Sequence, residues 1–221
     1  MTNHIKHIAF IMDGNQRWAK KNNQSLKNGY LAGFENINKI LDCCISNNIK
    51  NITIFAASVE NIKRNSANLL FVIIRNYFKK FMLDINNKSI KINFIGERVN
   101  IPKDILDIFD IIHKKSSGNV NLNVVFNYGT QFEIKNIIEK LINKNENINI
   151  KNIRSNMYIG DTDDPDILVR TGGYSRLSNF ILLNLSYTEL FFTKTLWPDF
   201  SSNELNTIIN NFTKLERNYG L

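Results

Sequence analysis

The sequence predicts an α/β protein, a single domain in which a mostly parallel central β-sheet is flanked by helices. Short apolar segments typical of strands alternate with longer segments whose apolar residues recur at helical spacing. Strands that are separated by helices form βαβ units, which make neighbouring strands parallel. The 221 residues contain no linker and no internal repeat, so we expect one domain over residues 1–221.

The predicted strands are short and mostly apolar. The first, at 7–12, is apolar at every position after His7, which is typical of a strand buried on both faces. Alternating or continuous apolar character marks the others. They are predicted at 51–57, 90–96, 120–129 and 166–173. Apolar residues that recur every three or four positions indicate helices on the remaining segments. These are predicted at 34–48, 68–85, 104–115, about 131–143 and 203–215.

The chain is basic, with a formal net charge of +8. A basic protein attracts nucleic acid, anionic lipid or phosphorylated metabolites. The same excess also follows from a general enrichment in Asn, Ile and Lys, which spreads lysines over a solvated surface. Composition leaves both interpretations open. The sequence contains no evident helix–turn–helix, zinc or aromatic-stacking module, so we expect no nucleic-acid partner.

The only cysteines are the adjacent residues Cys43 and Cys44, within a helical pattern. Neighbouring cysteines rarely bridge each other, and no Cys/His cluster suited to zinc exists in the sequence. We therefore expect reduced core thiols in a cytoplasmic protein. The first residues lack the pattern of a signal peptide, and no apolar run approaches the ~18 residues of a membrane span.

Polar and charged residues follow three of the predicted strands. They are Asp13, Gly14, Asn15, Arg17 and Trp18 after the first strand, Ser58, Glu60, Asn61 and Arg64 after the second, and Arg170, Gly172, Gly173, Arg176, Ser178 and Asn179 after the last. Ligands of parallel α/β sheets bind beyond the carboxyl ends of the strands, so these residues are the candidates for a binding site.

The chemistry of these strand ends favours a phosphorylated ligand. Arginines offer forked donors to phosphate oxygens, and glycines let backbone N–H groups approach an anion. Asp13 is the exception in this basic set, and Mg²⁺ shared with phosphate oxygens would account for it. Three structural alternatives stay open: Asp13 as the N-cap of a helix beginning near Arg17, Arg170 in a surface ion pair beside a tight turn, and Trp18 as a packing residue.

Six stretches, in order, carry a family resemblance. They read HIAFIMDGNQRWA, TIFAASVENIKR, NYGTQFEI, ILVRTGG, RLSNFILLNLSYTELFFT and LWPDF. Together they resemble the cis-prenyltransferases, the undecaprenyl diphosphate synthase family, from about residue 5 to residue 220. The resemblance implies a Mg²⁺-dependent enzyme that adds isopentenyl diphosphate repeatedly to an allylic diphosphate such as farnesyl diphosphate. The expected product is a long-chain cis-polyprenyl diphosphate, undecaprenyl diphosphate, which serves as a cell-wall carrier lipid.

The resemblance also implies an assembly and a location. The family is usually homodimeric, and a cytoplasmic enzyme of this kind would contact the membrane transiently to release its product. The alternative is a non-catalytic partner subunit with the same fold. Such chains typically lose the aspartate and the first loop, so the presence of Asp13 and Arg17 favours an enzyme.

Residue roles carry over by position. Asp13 resembles the catalytic, metal-holding aspartate, and Glu189 resembles a second metal-associated carboxylate. Asn61 matches the residue assigned to proton removal, and because a neutral amide is a poor base we expect it to orient the proton's path. The residues implied in substrate binding are Gly14, Asn15, Gln16, Arg17, Trp18, Tyr30, Ser58, Val59, Glu60, Ile62, Arg64, Arg170, Arg176, Leu177 and Ser178.

A growing polyprenyl chain needs an apolar tunnel, which the resemblance places between the sheet and the helices. The helix predicted at 68–85 is apolar on more than one side. Its candidate wall residues are Leu69, Leu70, Phe71, Ile73, Ile74, Tyr77 and Phe78. An ordinary core face is the alternative for any one of them.

The chain departs from the family pattern at several positions in the substrate loops. They are Gln16, Leu26, Tyr30, Ile62, Asn65, Asn68, Tyr174, Ser175 and Asn218. Tyr174 and Ser175 stand where Glu and a His or Gln are frequent. Because Asp13, Asn61, Arg170 and the other central residues remain, we expect an active but divergent enzyme.

Overall fold

A six-stranded sheet organises the described part of the chain, residues 4–62, 67–86, 88–160 and 162–216 of a computed structural model. Its strands are β1 His7–Ile11, β2 Asn51–Ser58, β3 Ile90–Ile95, β4 Val120–Tyr128, β5 Ile167–Arg170 and β6 Glu189–Phe192. Every neighbouring pair is parallel, in the order β3-β4-β2-β1-β5-β6. The predicted parallel α/β architecture is therefore confirmed.

Helices connect the strands and cover the sheet. They are α1 Asn15–Lys21, α2 Leu26–Ser46, α3 Val59–Ile62, α4 Ala67–Asn86, α5 Lys103–Lys115, α6 Thr130–Asn143, α7 Ile150–Ser155 and α8 Ser202–Thr213. Two short 3-10 turns lie at Leu182–Asn184 and Trp197–Asp199. All five predicted strands and five long helices are present, and α1 lies where a helix beginning near Arg17 was considered. In contrast, β6 and the short helices α3 and α7 were not predicted.

The two faces of the sheet bury separate apolar clusters. Phe10, Ile52 and Leu122 belong to the larger cluster, which packs against residues of α2, α5 and α8. Ala9 and Val125 belong to the cluster on the opposite face. Because β1 contributes to both, its residues are buried at every position, as its continuous apolar sequence predicted.

Helix α2 begins eight residues earlier than predicted. Ser25 is its N-cap, and the Ser25 side chain accepts a hydrogen bond from the Asn28 N–H. Two glycines in its first turns weaken the helical signal in the sequence. Both are required by packing: a Cβ on Gly33 would lie 2.1 Å from Asn15 Oδ1, and one on Gly29 would lie 2.5 Å from the Asn15 carbonyl oxygen. The close packing of α2 against α1, and not helix propensity, therefore requires glycine at these two positions.

The last predicted strand is shorter than expected, and a further strand follows it. β5 ends at Arg170, and Gly172 and Gly173 adopt positive φ angles of 84° and 80°, which a strand does not allow. β6 then pairs with β5 at the edge of the sheet. Its four residues alternate between half-buried and exposed, so its sequence lacks the strong apolar signal of an internal strand.

Candidate active site

The carboxyl ends of β1, β2 and β5, three neighbouring strands, open into a polar cavity of about 820 Å³. We call this cavity the mouth. The first strand end lines it with Asp13, Gly14, Asn15, Gln16 and Arg17. The structure thus brings the separate strand ends together, as expected for one edge of a parallel sheet.

The other strand ends and α2 complete the lining. They contribute Tyr30, Ser58, Glu60, Asn61, Arg170, Arg176 and Ser178. Most of the side chains that the family resemblance implied in substrate binding therefore face one cavity.

Asp13 is held between two arginines. Its Oδ1 lies 3.1 Å from Arg17 Nη2, and its Oδ2 lies 2.9 Å from Arg170 Nη2. The N-cap alternative is wrong, because α1 begins at Asn15 and is preceded by Gly14, with no side-chain cap. The backbone is fixed as well: Thr171 Oγ1 accepts from the Asp13 N–H at 3.0 Å and donates to its carbonyl at 2.8 Å. Thr171 carries no charge and was not among the candidate site residues, although it lies within the stretch ILVRTGG; its hydrogen bonds to Asp13 are visible only in the fold.

Arg170 is a buried cation, with its side chain 4% exposed. Besides Asp13, its Nη1 contacts the Arg176 carbonyl and lies 2.7 Å from Ser178 Oγ. Its Nε has no hydrogen-bond partner among the described residues. The surface-ion-pair alternative is therefore wrong, although the Gly172–Gly173 turn is present. A buried guanidinium is retained only where anions and acceptors compensate its charge, which makes it a suitable receiver for a phosphate group.

Gly172 makes room for Arg17. Arg17 Nη1 donates to the Gly172 carbonyl oxygen at 2.6 Å. A Cβ on Gly172 would lie 2.5 Å from Arg17 Nη2. The glycine therefore serves both the positive φ of the turn and the position of a mouth arginine.

Asn61 is oriented by Ser58. Its Oδ1 accepts from the Ser58 N–H at 3.0 Å and from Ser58 Oγ at 3.1 Å, and its own N–H donates to Ser58 Oγ at 3.2 Å. The amide oxygen is thus occupied, and its NH₂ group remains for a ligand, with no hydrogen bond to the described residues. This arrangement agrees with a role of Asn61 as a hydrogen-bond donor that orients a ligand, and not with a role as a base.

Several predicted residues do not line the mouth. Val59 and Ile62 are buried, and Ile62 belongs to a core cluster beneath the loop. Leu177 packs against the cluster on the second face of the sheet. Trp18 donates its indole N–H to Asp199 Oδ1 at 2.6 Å, as expected of a packing residue. Direct substrate contact by these four side chains therefore stays a prediction, because none of them lines the mouth. Arg64 lies outside the described residues, together with Asn65 and Asn218.

Glu189 is not near Asp13 within one chain. It is the first residue of β6 and pairs with Ile167, whereas Arg170 at the mouth pairs with Phe192. Three residues of strand separate the two positions, roughly 10 Å. The metal-binding role of Glu189 therefore stays a prediction, because Glu189 does not lie beside Asp13 within one chain.

An apolar cavity of about 150 Å³ adjoins the mouth between the sheet and helices α2 and α4. Met12, Asn15, Tyr30, Ala56 and Leu70 line both cavities. Of the candidate tunnel residues in α4, Leu70, Ile73, Ile74 and Tyr77 line it. Leu69 does not, Phe71 packs in a core cluster, and the side chain of Phe78 lies outside the described part.

The donor set of the mouth suits a substrate-bound magnesium ion better than a resident one. The described residues contain no group of three or more His, Cys, Asp or Glu side chains able to hold a metal. Asp13 supplies one carboxylate, and the buried Asn15 Oδ1 has no hydrogen-bond partner among the described residues. Mg²⁺ is commonly held by one or two carboxylates with phosphate oxygens and water, so the residues fit such an ion when a diphosphate is present.

The fold and the site define an α/β protein in which several arginines line a polar cavity beside an apolar one. A family model described as "Putative undecaprenyl diphosphate synthase" matches residues 11–220. The isoprenyl transferase of Aquifex pyrophilus is 36% identical over 220 residues, which cover 97% of this chain and 95% of the relative. The chain therefore belongs to the undecaprenyl diphosphate synthase family of cis-prenyltransferases, and it is a transferase of isoprenoid biosynthesis.

Proteins that are similar to this chain differ in the substrates that their names state. The tritrans,polycis-undecaprenyl-diphosphate synthase (geranylgeranyl-diphosphate specific) of Pyrococcus furiosus is 32% identical over 228 residues, which cover 97% of this chain and 86% of the relative. The crystal structure of lavandulyl diphosphate synthase from Lavandula x intermedia in complex with dimethylallyl diphosphate matches with a TM-score of 0.90 and 25% identity, covering 99% of each chain. The similarity therefore assigns the family but not the primer.

Proposed function

We propose that this chain adds isopentenyl diphosphate repeatedly to an allylic diphosphate and makes a long-chain cis-polyprenyl diphosphate, with undecaprenyl diphosphate as the product. The observation that carries the proposal is the junction between the mouth and the apolar cavity, which share Met12, Asn15 and Tyr30. A diphosphate bound at the arginines has an apolar space directly beside it for its hydrocarbon chain.

Arg17 stabilises the leaving group. Breaking the allylic carbon–oxygen bond transfers negative charge to the departing diphosphate, and Arg17 is already oriented at the mouth by Asp13. Arg170, which Asp13 also holds, belongs with Arg176 and Ser178 to the positions that match the family's isopentenyl diphosphate site. Donors held in place before the reaction need little reorganisation as charge develops. A magnesium ion held by Asp13 and phosphate oxygens would supply Lewis-acid stabilisation of the same leaving group.

Asn61 directs proton removal. Forming the new carbon–carbon bond leaves the added isopentenyl unit with a proton to lose. Because the Asn61 oxygen is occupied by Ser58, its NH₂ group is the part that reaches a substrate oxygen. We assign Asn61 the role of holding a diphosphate oxygen in position to accept that proton.

The assay that tests this function supplies the purified protein with labelled isopentenyl diphosphate and one primer at a time: dimethylallyl, farnesyl or geranylgeranyl diphosphate. Product formation that requires Mg²⁺ and stops with EDTA is expected, with chain length read by chromatography. If no primer is elongated in the presence of Mg²⁺, the catalytic proposal is wrong and the non-catalytic partner subunit replaces it.

We also propose a homodimer in which the edge strand β6 takes part. Leu190 and Phe192 are exposed on this strand, and an apolar sheet edge is a common site of association. Light scattering after size exclusion is expected to give twice the mass of the chain, and the double substitution Leu190→Lys and Phe192→Lys is expected to give a monomer. A monomeric wild-type chain would contradict this proposal.

We propose a cytoplasmic location with transient membrane contact during product release. Both cysteines are free and buried, and burial raises the pKa of the Cys44 thiol, so the pair suits a reducing compartment. Within the described ranges, none of the helices combines the length and apolar character needed to cross a membrane. Cell fractionation with a tagged full-length chain tests the location.

A further inference from the structure

One aromatic ring at the mouth contacts three arginines. The guanidinium carbons of Arg176, Arg17 and Arg170 lie 4.0, 4.7 and 5.8 Å from the centroid of the Tyr174 ring. All of these distances are within the range of cation–π attraction. Tyr174 is 41% exposed and lines the mouth, so the ring stands at the entrance and not in the core.

Ion pairs with acidic side chains balance only part of the positive charge of the three arginines. Asp13 pairs with Arg17 and Arg170. Arg176 forms no ion pair with any described residue, and its guanidinium is the one closest to the ring. The Tyr174 hydroxyl makes no hydrogen bond within the described ranges, so the ring face is the part of the side chain that acts on the arginines.

We propose that Tyr174 is a positioning residue, an aromatic platform that gathers the guanidinium groups of Arg17, Arg170 and Arg176 for an incoming diphosphate. The inference rests on the proposed role of the mouth as a diphosphate site and deepens it by naming what holds the cations together. Like charges repel, and arginine side chains lose rotamer freedom when they are ordered. A ring that orders them before binding reduces both costs at the moment when the ligand arrives.

The ring acts on the arginines in a different way from the carboxylate that is frequent at this position in the family. The ring attracts a cation through its quadrupole but carries no net charge, so the mouth keeps its positive potential. A carboxylate at the same position would pair with Arg176 and would have to be displaced by the diphosphate. Tyr174 therefore orders the arginines without competing with the ligand.

The ring should act mainly on the affinity for isopentenyl diphosphate. The nearest guanidinium belongs to Arg176, which the family resemblance assigns to that substrate. The diphosphate of isopentenyl diphosphate is retained in the product, so its contacts change little between the ground state and the transition state. Loss of such uniform binding raises KM and leaves kcat nearly unchanged.

Three substitutions test the platform. Tyr174→Phe keeps the ring, Tyr174→Leu removes it, and Tyr174→Glu replaces it with a competing charge. Tyr187→Leu is the matched control, because Tyr187 is an exposed tyrosine that does not line the mouth. Binding of inorganic diphosphate is measured by isothermal titration calorimetry at two salt concentrations with Mg²⁺ present, alongside steady-state kinetics and thermal unfolding.

The Phe variant is expected to bind inorganic diphosphate with an affinity within about twofold of the wild type. The Leu variant is expected to bind it about five- to tenfold more weakly. In the Leu variant, the KM for isopentenyl diphosphate should rise by the same factor, whereas kcat should stay within about twofold of the wild type. The Glu variant is expected to bind at least about tenfold more weakly and to show a smaller salt dependence, because its carboxylate adds a negative charge and so lowers the net positive charge of the mouth. The control is expected to match the wild type.

The outcomes separate this inference from the function on which it rests. A wild-type chain that does not bind inorganic diphosphate overturns the diphosphate site itself. A wild-type chain that binds it while the Leu variant binds equally well, with an unchanged KM, overturns the role of Tyr174 alone. If the Leu variant does not fold, equal affinities of the Phe and Glu variants overturn the inference instead.

Discussion

Asp13 illustrates how one residue determines the electrostatics of the mouth. Its two oxygens contact different arginines, and one of these, Arg170, is buried. A buried cation without a counter-ion is strongly unfavourable, so Asp13 stabilises the free protein in addition to its proposed role in binding a metal-bound diphosphate. Function and stability are therefore coupled at this carboxylate.

Replacing Asp13 with Ala should reduce turnover by at least about a hundredfold, because the metal-holding carboxylate and the orientation of both arginines are lost together. The fold should persist with a loss of about 1–3 kcal/mol in the free energy of unfolding, since the hydrogen bonds of the Asp13 backbone remain. Steady-state kinetics and chemical denaturation measure the two effects.

The control for this substitution is Asp163→Ala, which removes an exposed aspartate 3.7 Å from Lys6. An exposed ion pair contributes little to stability, so this variant should keep wild-type turnover. Turnover near the wild-type rate in the Asp13→Ala variant would refute the catalytic assignment.

Gly172→Ala tests whether the close approach of Arg17 matters. The added Cβ would meet Arg17 Nη2 at 2.5 Å, and a non-glycine residue at a φ of 84° is strained by about 1 kcal/mol. We expect this strain together with a severalfold loss of affinity for inorganic diphosphate, measured by calorimetry.

Gly160→Ala is the control for Gly172→Ala, because it introduces a similar backbone strain but no contact with an arginine. Gly160 has a φ of 62°, and a Cβ there would meet nothing within 4 Å. This variant should lose about 1 kcal/mol of stability and keep wild-type affinity. Equal affinities in both variants would show that displacement of Arg17 has no consequence.

At the scale of elements, α4 separates core from cavity along its length. Phe71 packs among core residues, whereas Ile73, Ile74 and Tyr77 face the apolar cavity. Val72 is exposed on the same helix. The three environments follow from the 3.6-residue period of the helix, but the helix pattern does not distinguish a wall from a core face.

Filling the cavity from α4 should shorten the product. Ile74→Trp adds bulk to the cavity wall, so elongation is expected to stop earlier, with little change in the rate of the first condensation. Val72→Trp, on the exposed side of the same helix, is the matched control and should leave chain length unchanged. Chromatography of labelled products measures both, and an unaltered product from Ile74→Trp would contradict the placement of the growing chain.

At the scale of the whole molecule, a row of buried polar side chains crosses the sheet. His7 Nε2 lies 2.7 Å from Thr53 Oγ1, and Asn123 Nδ2 donates to the same oxygen at 3.2 Å. His7 Nδ1 lies 2.5 Å from the Asp163 carbonyl oxygen, to which it donates as N–H. Strands β1, β2 and β4 are thereby joined by side chains as well as by their backbones.

This row should make stability depend on pH. Burial lowers the pKa of His7 below 6.5, and the Asp163 carbonyl with the carboxylates of Asp163, Asp164 and Asp166 opposes the shift only in part. The unfolded chain therefore binds the proton more readily than the folded chain. The stability that comes from a neutral His7 is present above pH 6.5 and is lost as the pH falls below it, by up to ~1.4 kcal/mol per pH unit.

His7→Gln keeps a hydrogen-bonding side chain that does not titrate in this range, so its free energy of unfolding should fall less between about pH 8 and pH 5.5. His4→Gln, at an exposed histidine, is the control and should keep the wild-type pH dependence. Urea denaturation at each pH measures the difference. Parallel pH profiles for the wild type and the His7→Gln variant would contradict the assignment.

Prediction from the sequence succeeded where the signal was local and strong. The five predicted strands and the position of Asp13 beyond β1 follow from apolar runs that end abruptly. Prediction failed for β6 because an edge strand is only half-buried, and for the start of α2 because Gly29 and Gly33 are chosen by contact with α1. The family resemblance implied substrate contact by Val59 and Ile62, which are buried; this contact stays a prediction, since an apolar residue in a binding loop packs inward as readily as it faces a ligand.

Five of the six strands, their parallel arrangement and the edge at which a site would form could be predicted from the amino-acid sequence, because the periodicity of buried residues is a local property of the chain. Which atoms meet at that edge depends on the tertiary structure. Asp13 pairs with Arg170, which is 157 residues away in the sequence. The Tyr174 ring contacts three guanidinium groups, and Glu189 lies at the end of β6 that is far from the mouth. Such contacts depend on side-chain orientations that are selected by neighbours distant in sequence, and no local pattern specifies them.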